Sequence, residues 1–269
     1  MPEDSPSQRR QVSKLIDPSV PHPARMWNYW LGGKDHYPID REAAGRIMAV
    51  YPGIVDVARA SREFLGRVVR HLTDDVGIRQ FLDIGTGLPS ADNTHEVAQR
   101  AAPESRIVYV DNDPLVLAHA RALLTSTPEG VCAYIEADVH DPETILRDAA
   151  ETLDFSRPIA VVMMGVLGNV RDYDRACEIV RTLMDAMPSG SYLVINDGTD
   201  TSEARVAATQ RHNQRGSAQY YNRSPEQLAG YLEGLELLEP GVVPTPAWRP
   251  ESDAEPPRLD AYCGVARKS

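Results

Sequence analysis

Residues 81–89, Phe-Leu-Asp-Ile-Gly-Thr-Gly-Leu-Pro, constrain this chain most. An apolar run ends in an acid and then in two glycines one residue apart. That is the pattern of a buried parallel strand that turns tightly beneath a nucleotide-like ligand. Gly85 and Gly87 let the backbone turn and approach a ligand with no Cβ in the way. No Gly-Lys-Ser/Thr follows, so the turn is not a phosphate-cradling P-loop.

From Gln80 onward, strand and helix patterns alternate. The expected strands are Gln80–Ile84, Arg106–Asp111, Cys132–Glu136, Ile159–Met164 and Ser191–Asn196. Between them lie expected helices at Asn93–Ala101, Pro114–Leu124, Pro142–Leu153 and Tyr173–Met187. Ile159 to Met164 is apolar on both faces, which marks an α/β fold, a parallel sheet covered by helices on both sides. A helix from Pro225 to Leu235 and two closing strands, Leu237–Val243 and Asp260–Arg267, complete the region. The closing strands, joined by a Pro-rich loop, are expected to pair antiparallel.

Upstream, residues 1–14 are polar and read as a disordered tail, and residues 15–75 as a helical cap on the domain 76–269. Pro23 opens an expected helix to Leu31, ended by Gly32-Gly33 as a left-handed cap. Asp40 is the expected N-cap of a second helix through Val50, and a third runs from Val55 to Leu72.

Acids stand at the ends of the first three strands: Asp83, Asp111 and Asp138, each one strand–helix repeat apart. In an open α/β sheet, ligands bind outside the carboxyl ends of the strands near the topological switch point, so all three point at one crevice. Asp111 can accept ribose hydroxyls, and Asp138 an adenine amino group. S-adenosylmethionine (SAM) adds an ammonium and a sulfonium that suit an acidic rim, whereas a dinucleotide pyrophosphate is repelled there. The bland alternative for each acid is a helix N-cap or a solvated loop residue. A nicotinamide fingerprint requires glycine at position 90, where Ser90 stands, and Pro89 interrupts the turn.

Asp83-Ile-Gly-Thr-Gly resembles the first motif of class I SAM-dependent methyltransferases. Beyond it, Asp17-Pro-Ser-Val-Pro-His-Pro-Ala-Arg, Leu31-Gly-Gly-Lys-Asp, Asp92-Asn-Thr-His-Glu and Tyr109-Val-Asp-Asn-Asp-Pro resemble a bacterial S-adenosyl methyltransferase family long filed as a domain of unknown function. The resemblance runs from Asp17 to Lys268. It implies a Rossmann-like, mostly parallel seven-stranded sheet with an N-terminal helical cap, SAM as cofactor and S-adenosylhomocysteine as product. The expected cofactor contacts are Asp83, Gly85, Thr86, Gly87, Asp111, Asn112, Asp138, Val139 and Gly165, with Arg25, Tyr29 and Lys34 from the cap. Relatives often carry Leu-His after the fourth strand and a Ser/His-type pair after the fifth. Here Leu167-Gly168-Asn169 and Asn196-Asp197-Gly198 stand instead, so the resemblance transfers neither a general base nor a substrate class.

The cap holds Trp27, Tyr29, Trp30 and Tyr37, and aromatics so spaced cannot all face one core. Part of the first helix is therefore expected to cover a ligand, the alternative being a helix packed on the sheet edge. His36, Tyr37 and His140 are the candidate catalytic side chains. Residues 199–224 form an insertion after the fifth strand carrying Arg205, Arg211, Arg215 and Arg223 against two acids. Trp30, Tyr37, Asn169, Arg211, Arg215 and Tyr220 are the candidate substrate contacts.

No histidine spacing gives a metal-ligand set, so no metal is expected. A net charge of −11 argues against nucleic acid as partner, and no apolar run suggests a membrane span. Three scattered cysteines without a C-x-x-C pair fit a reduced, cytoplasmic setting. The functional expectation is methyl transfer to a small molecule. The alternatives are a SAM-binding sensor without catalysis and an NAD-dependent oxidoreductase.

Overall fold

The computed structural model describes residues 17–90, 92–123, 125–214, 219–252 and 254–269. The expected tail and Arg215 lie outside them. Helices α1 (Pro23–Trp30), α2 (Pro38–Val50) and α3 (Ile54–Arg70) precede the sheet, and a short π-helical stretch, His71–Val76, extends α3. The sheet region then runs β1 (Gln80–Ile84), α4 (Thr94–Ala101), β2 (Arg106–Asp111), α5 (Pro114–Leu123), β3 (Val131–Glu136), α6 (Pro142–Ala149), β4 (Ala160–Met164), α7 (Tyr173–Asp185) and β5 (Tyr192–Gly198). It closes with α8 (Glu203–Asn213), α9 (Pro225–Gly230), β6 (Glu236–Leu237), β7 (Val243–Pro244) and β8 (Ala261–Arg267).

The strand order is β3-β2-β1-β4-β5-β8-β6, with β7 also paired to β8. Strands β1 to β5 pair in parallel, and β8 joins β5 antiparallel. The chain steps outward from β1 to β3, then restarts on the other side of β1 with β4. That reversal puts the switch point between β1 and β4, next to the glycine turn. Every residue of β1 is buried, as its apolar run requires between two helical layers.

The antiparallel closing edge matches the expectation, but among the described residues eight strands replace seven. The segment read as one strand, Leu237–Val243, splits into β6 and β7 because Pro240 has no N–H to donate and Gly241 turns at φ +90°. Both halves rejoin β8, through Leu237 opposite Ala266 and Val243 opposite Cys263. Helix α9 ends at Gly230 rather than Leu235 and α6 at Ala149 rather than Leu153.

In the cap, α1 ends where expected, with Gly32 at φ +79°. Helix α2 starts at Pro38, which suits a first helical turn, so Tyr37 is the N-cap and Asp40, expected there, closes a capping box from the third helical position. Its fully buried carboxylate accepts the Tyr37 N–H (2.8 Å) and the His22 N–H (2.9 Å). Trp30, Ala44 and Ile54 form the cap core together with Ala208 of α8. The second half of α3 belongs to the sheet instead. Phe64, Val68 and Leu72 pack with Phe81, Ile107 and Val162, so one helix joins cap and sheet.

Candidate functional site

A cavity of about 690 Å³ opens at the carboxyl ends of β1 to β5, roofed by α1 and the loop after it. Its floor is the glycine turn. Gly85 and Gly87 adopt φ +73° and +66°, a region that favours glycine. A Cβ on Gly85 would lie 2.8 Å from the Val166 side chain, so this turn is closed to larger residues. The Gly85 N–H donates to Val110 O (2.8 Å), tying the turn to β2.

The three strand-end acids line this cavity, and each is held differently. Asp83 is buried and accepts the Thr94 hydroxyl at 2.6 Å. Burial, with help from the Asp111 charge, pushes its pKa up to about 6 against the pull of Thr94 and Arg62. Asp111 accepts the Gly87 N–H through Oδ2 and the Asp113 N–H through Oδ1, both at 2.9 Å. Its pKa is also raised by burial, which outweighs those two bonds. Asp138 is half-exposed and accepts from the Asn112 amide (2.9 Å) and the His140 N–H (2.9 Å), with the His140 ring nitrogen 2.6 Å away. Burial would raise it, but these bonds hold it below the usual carboxylate range.

Gly85, Thr86, Gly87, Asn112, Val139, Gly165, Asn169 and His140 also line the cavity. The remaining sequence candidates lie elsewhere. Arg25 is buried in the cap, 3.3 Å from Asp40, donates to Val20 O (2.6 Å) and sits under the Tyr37 ring. Trp30 belongs to the cap core, and Tyr29 meets His36 edge-on at 5.2 Å. Lys34 and Arg211 are exposed and away from the cavity. Tyr37 packs on the Leu88–Leu115 cluster. The Tyr220 hydroxyl donates to Asp197 and accepts the Gly198 N–H (2.9 Å), so it points into the protein.

Several lining residues escaped sequence reasoning. Trp27, the aromatic of α1 that does face the cavity, lies over Gly165, 3.6 Å from where a Cβ would stand. His22 reaches from the cap to Asp113, Nδ1 to Oδ2 at 3.0 Å, and Asp113 caps α5 through the Leu115 N–H (2.9 Å). The Pro after Asp113 was the available signal for that cap. Arg62, Asn28 and Gln219 also line the cavity, and only the fold brings them near, whereas Asn196 stands at the end of the fifth strand, where the sequence departs from its relatives.

A family model for S-adenosyl methyltransferases matches residues 9–269. A DUF574 family protein from Streptomyces avermitilis is 42% identical, with TM-score 0.89, over 94% of this chain and 99% of its own. A candidate methyltransferase from Thermobifida fusca is 39% identical, with TM-score 0.87, over 93% of this chain and 96% of its own. Magnesium protoporphyrin IX methyltransferase from Synechocystis PCC 6803, solved with S-adenosylhomocysteine, is 11% identical over 91% of this chain and 93% of its own, with TM-score 0.55, and shares the fold. No protein of curated function matches. An acid-rimmed cavity at the switch point of a class I sheet, under a family model spanning nearly the whole sequence, has one reading: the chain belongs to the S-adenosyl methyltransferase family, with SAM as its cofactor.

Proposed function

We propose that this protein transfers the methyl group of SAM to a small molecule held under α1. The observation that carries this reading is the extent of the cavity. It continues from the acids of β1 to β3 past Gly165 to Asn169 after β4, Asn196 at the end of β5 and Gln219 between α8 and α9. Its volume of about 690 Å³ falls within the roughly 300–1,000 Å³ of small-molecule sites.

The residues present fit the cofactor. Each oxygen of Asp111 accepts one backbone N–H and keeps a lone pair, so the carboxylate can take ribose hydroxyls without breaking the turn. Asp138 and Val139 line the same cavity, and the Asp138 carboxylate would accept the adenine amino group. The left-handed glycines 85, 87 and 165 keep side chains out of the space between these acids and α1. Bound SAM supplies an electrophilic methyl carbon on a sulfonium. The protein's part is to align an acceptor with that carbon and to exclude water, and Trp27 over Gly165 serves the second purpose.

Incubation with methyl-labelled SAM and a cell extract tests the reading. Label is expected in the small-molecule fraction, with S-adenosylhomocysteine formed in equal amount. Label confined to the protein or nucleic-acid fraction contradicts it.

A further inference from the structure

The charged groups of the cavity are unevenly placed. The strand-end acids stand at β1 to β3 and Asp35 comes from the loop after α1, whereas the side beyond β4 and β5 offers carboxamides: Asn169, Asn196 and Gln219. Two of these are fixed by their own NH2 groups. Asn196 Nδ2 donates to Thr245 Oγ1 (2.6 Å) and Tyr262 O (3.2 Å). Asn169 Nδ2 donates to Gly165 O (3.3 Å) and Val166 O (3.2 Å). Each side chain therefore keeps its carbonyl oxygen as an acceptor, and a pair of acceptors calls for a ligand that donates.

A hydroxyl nucleophile would also need a proton acceptor at this end, and the two imidazoles that line the cavity, His22 and His140, are paired with Asp113 and Asp138 on the β2–β3 side. The nearest carboxylate in sequence, Asp197, is buried and already accepts the Gly168 N–H (3.0 Å), the Gly198 N–H (3.2 Å) and the Tyr220 hydroxyl. An amine whose lone pair is free at neutral pH attacks without a base. It also carries no negative charge into a cavity rimmed by Asp83, Asp111 and Asp138.

We propose that the methyl acceptor is an uncharged amine of low basicity, its N–H groups taken up by the Asn169 and Asn196 carbonyl oxygens. The nitrogen gives its lone pair to the methyl carbon. The carbon–sulfur bond breaks with its electron pair left on sulfur, and the ammonium product releases one proton to water. The proposal rests on the small-molecule methyl-transfer reading above.

The test uses SAM with a carbon-13 methyl group, the full-length protein and a small-molecule extract of the cells that make it. The product is read by the carbon shift of its methyl group, and SAM affinity is measured separately by calorimetry. The expected result is an N-methyl product. Asn169→Ala should form it about tenfold more slowly, consistent with loss of one hydrogen bond, with SAM affinity unchanged. An O-, S- or C-methyl product overturns the amine assignment, as does undiminished transfer by Asn169→Ala. No methylated small molecule at all, with SAM binding intact, overturns the underlying reading and the assignment with it.

Discussion

The Asp111 carboxylate accepts the Gly87 backbone N–H at 2.9 Å, joining the acid of the second strand to the glycine turn of the first. The two sequence motifs are thus one structural unit. Asp111 holds the turn in shape and faces the cavity at the same time, while its other oxygen fixes Asp113 and, through it, His22 of the cap.

The two turn glycines differ in what surrounds them. Gly85→Ala brings both left-handed strain and a Cβ 2.8 Å from Val166, whereas Gly87→Ala meets nothing within 4 Å. Chemical denaturation should show a loss of about 2 kcal/mol or more for Gly85→Ala and about 1–2 kcal/mol for Gly87→Ala. Equal losses would contradict the close approach at Val166.

Asp83 makes stability depend on pH. Its pKa of about 6, against an ordinary value of 3.8, means the folded protein holds this proton more tightly than the unfolded chain. Between roughly pH 4 and pH 6 its contribution to stability falls as pH rises, by up to about 3 kcal/mol, and is constant above that. Asp83→Asn keeps an acceptor for Thr94 and removes the charge. Urea unfolding across this window should show a shallower decline for the variant, and parallel curves would count against the raised pKa.

Of the three tryptophans, Trp27 lines the cavity, while Trp30 and Trp248 are buried in the cap core and beside Phe64. Binding of S-adenosylhomocysteine should therefore change tryptophan emission, and Trp27→Phe should abolish most of that change. Persistence of the full change in Trp27→Phe would mean the ligand does not reach this wall.

Tyr220 ties the insertion to the sheet rather than contacting a ligand. Its hydroxyl serves Asp197 and Gly198, and the Arg205 guanidinium lies over its ring at 5.5 Å. Tyr220→Phe takes the hydroxyl donor from the buried Asp197 Oδ1 and leaves it only the longer Gly198 N–H bond (3.2 Å), a cost of about 1–3 kcal/mol by thermal or urea unfolding. A variant as stable as the parent would show that these bonds contribute nothing.

The sheet was legible because its signals are local and repeated. Apolar runs ending in Asp83 and Asp111 mark both a strand and the side on which it meets a ligand. The acids and the glycine turn follow from that register alone, while Asn169 was singled out by the resemblance, where relatives carry Leu-His after the fourth strand. The cap was harder, since one aromatic helix divides its faces by tertiary packing: Trp30 turns inward with Met26, while Trp27 meets the cavity. Arg25 was misplaced for the same reason, as its partner Asp40 sits on another helix. The arginines of the insertion show how charge alone misleads. Arg223 is buried, donating to Val170 O at 2.7 Å, and Arg205 stacks between Tyr51 and Tyr220.

Titration calorimetry of SAM against the parent protein and Asp111→Asn tests the central claim most directly. SAM should bind at one site per chain, NAD should give no heat, and Asp111→Asn should weaken SAM by about tenfold or more, as expected for charged hydrogen bonds. NAD binding in place of SAM, or SAM affinity untouched by the substitution in a folded variant, would contradict the assignment of this cavity.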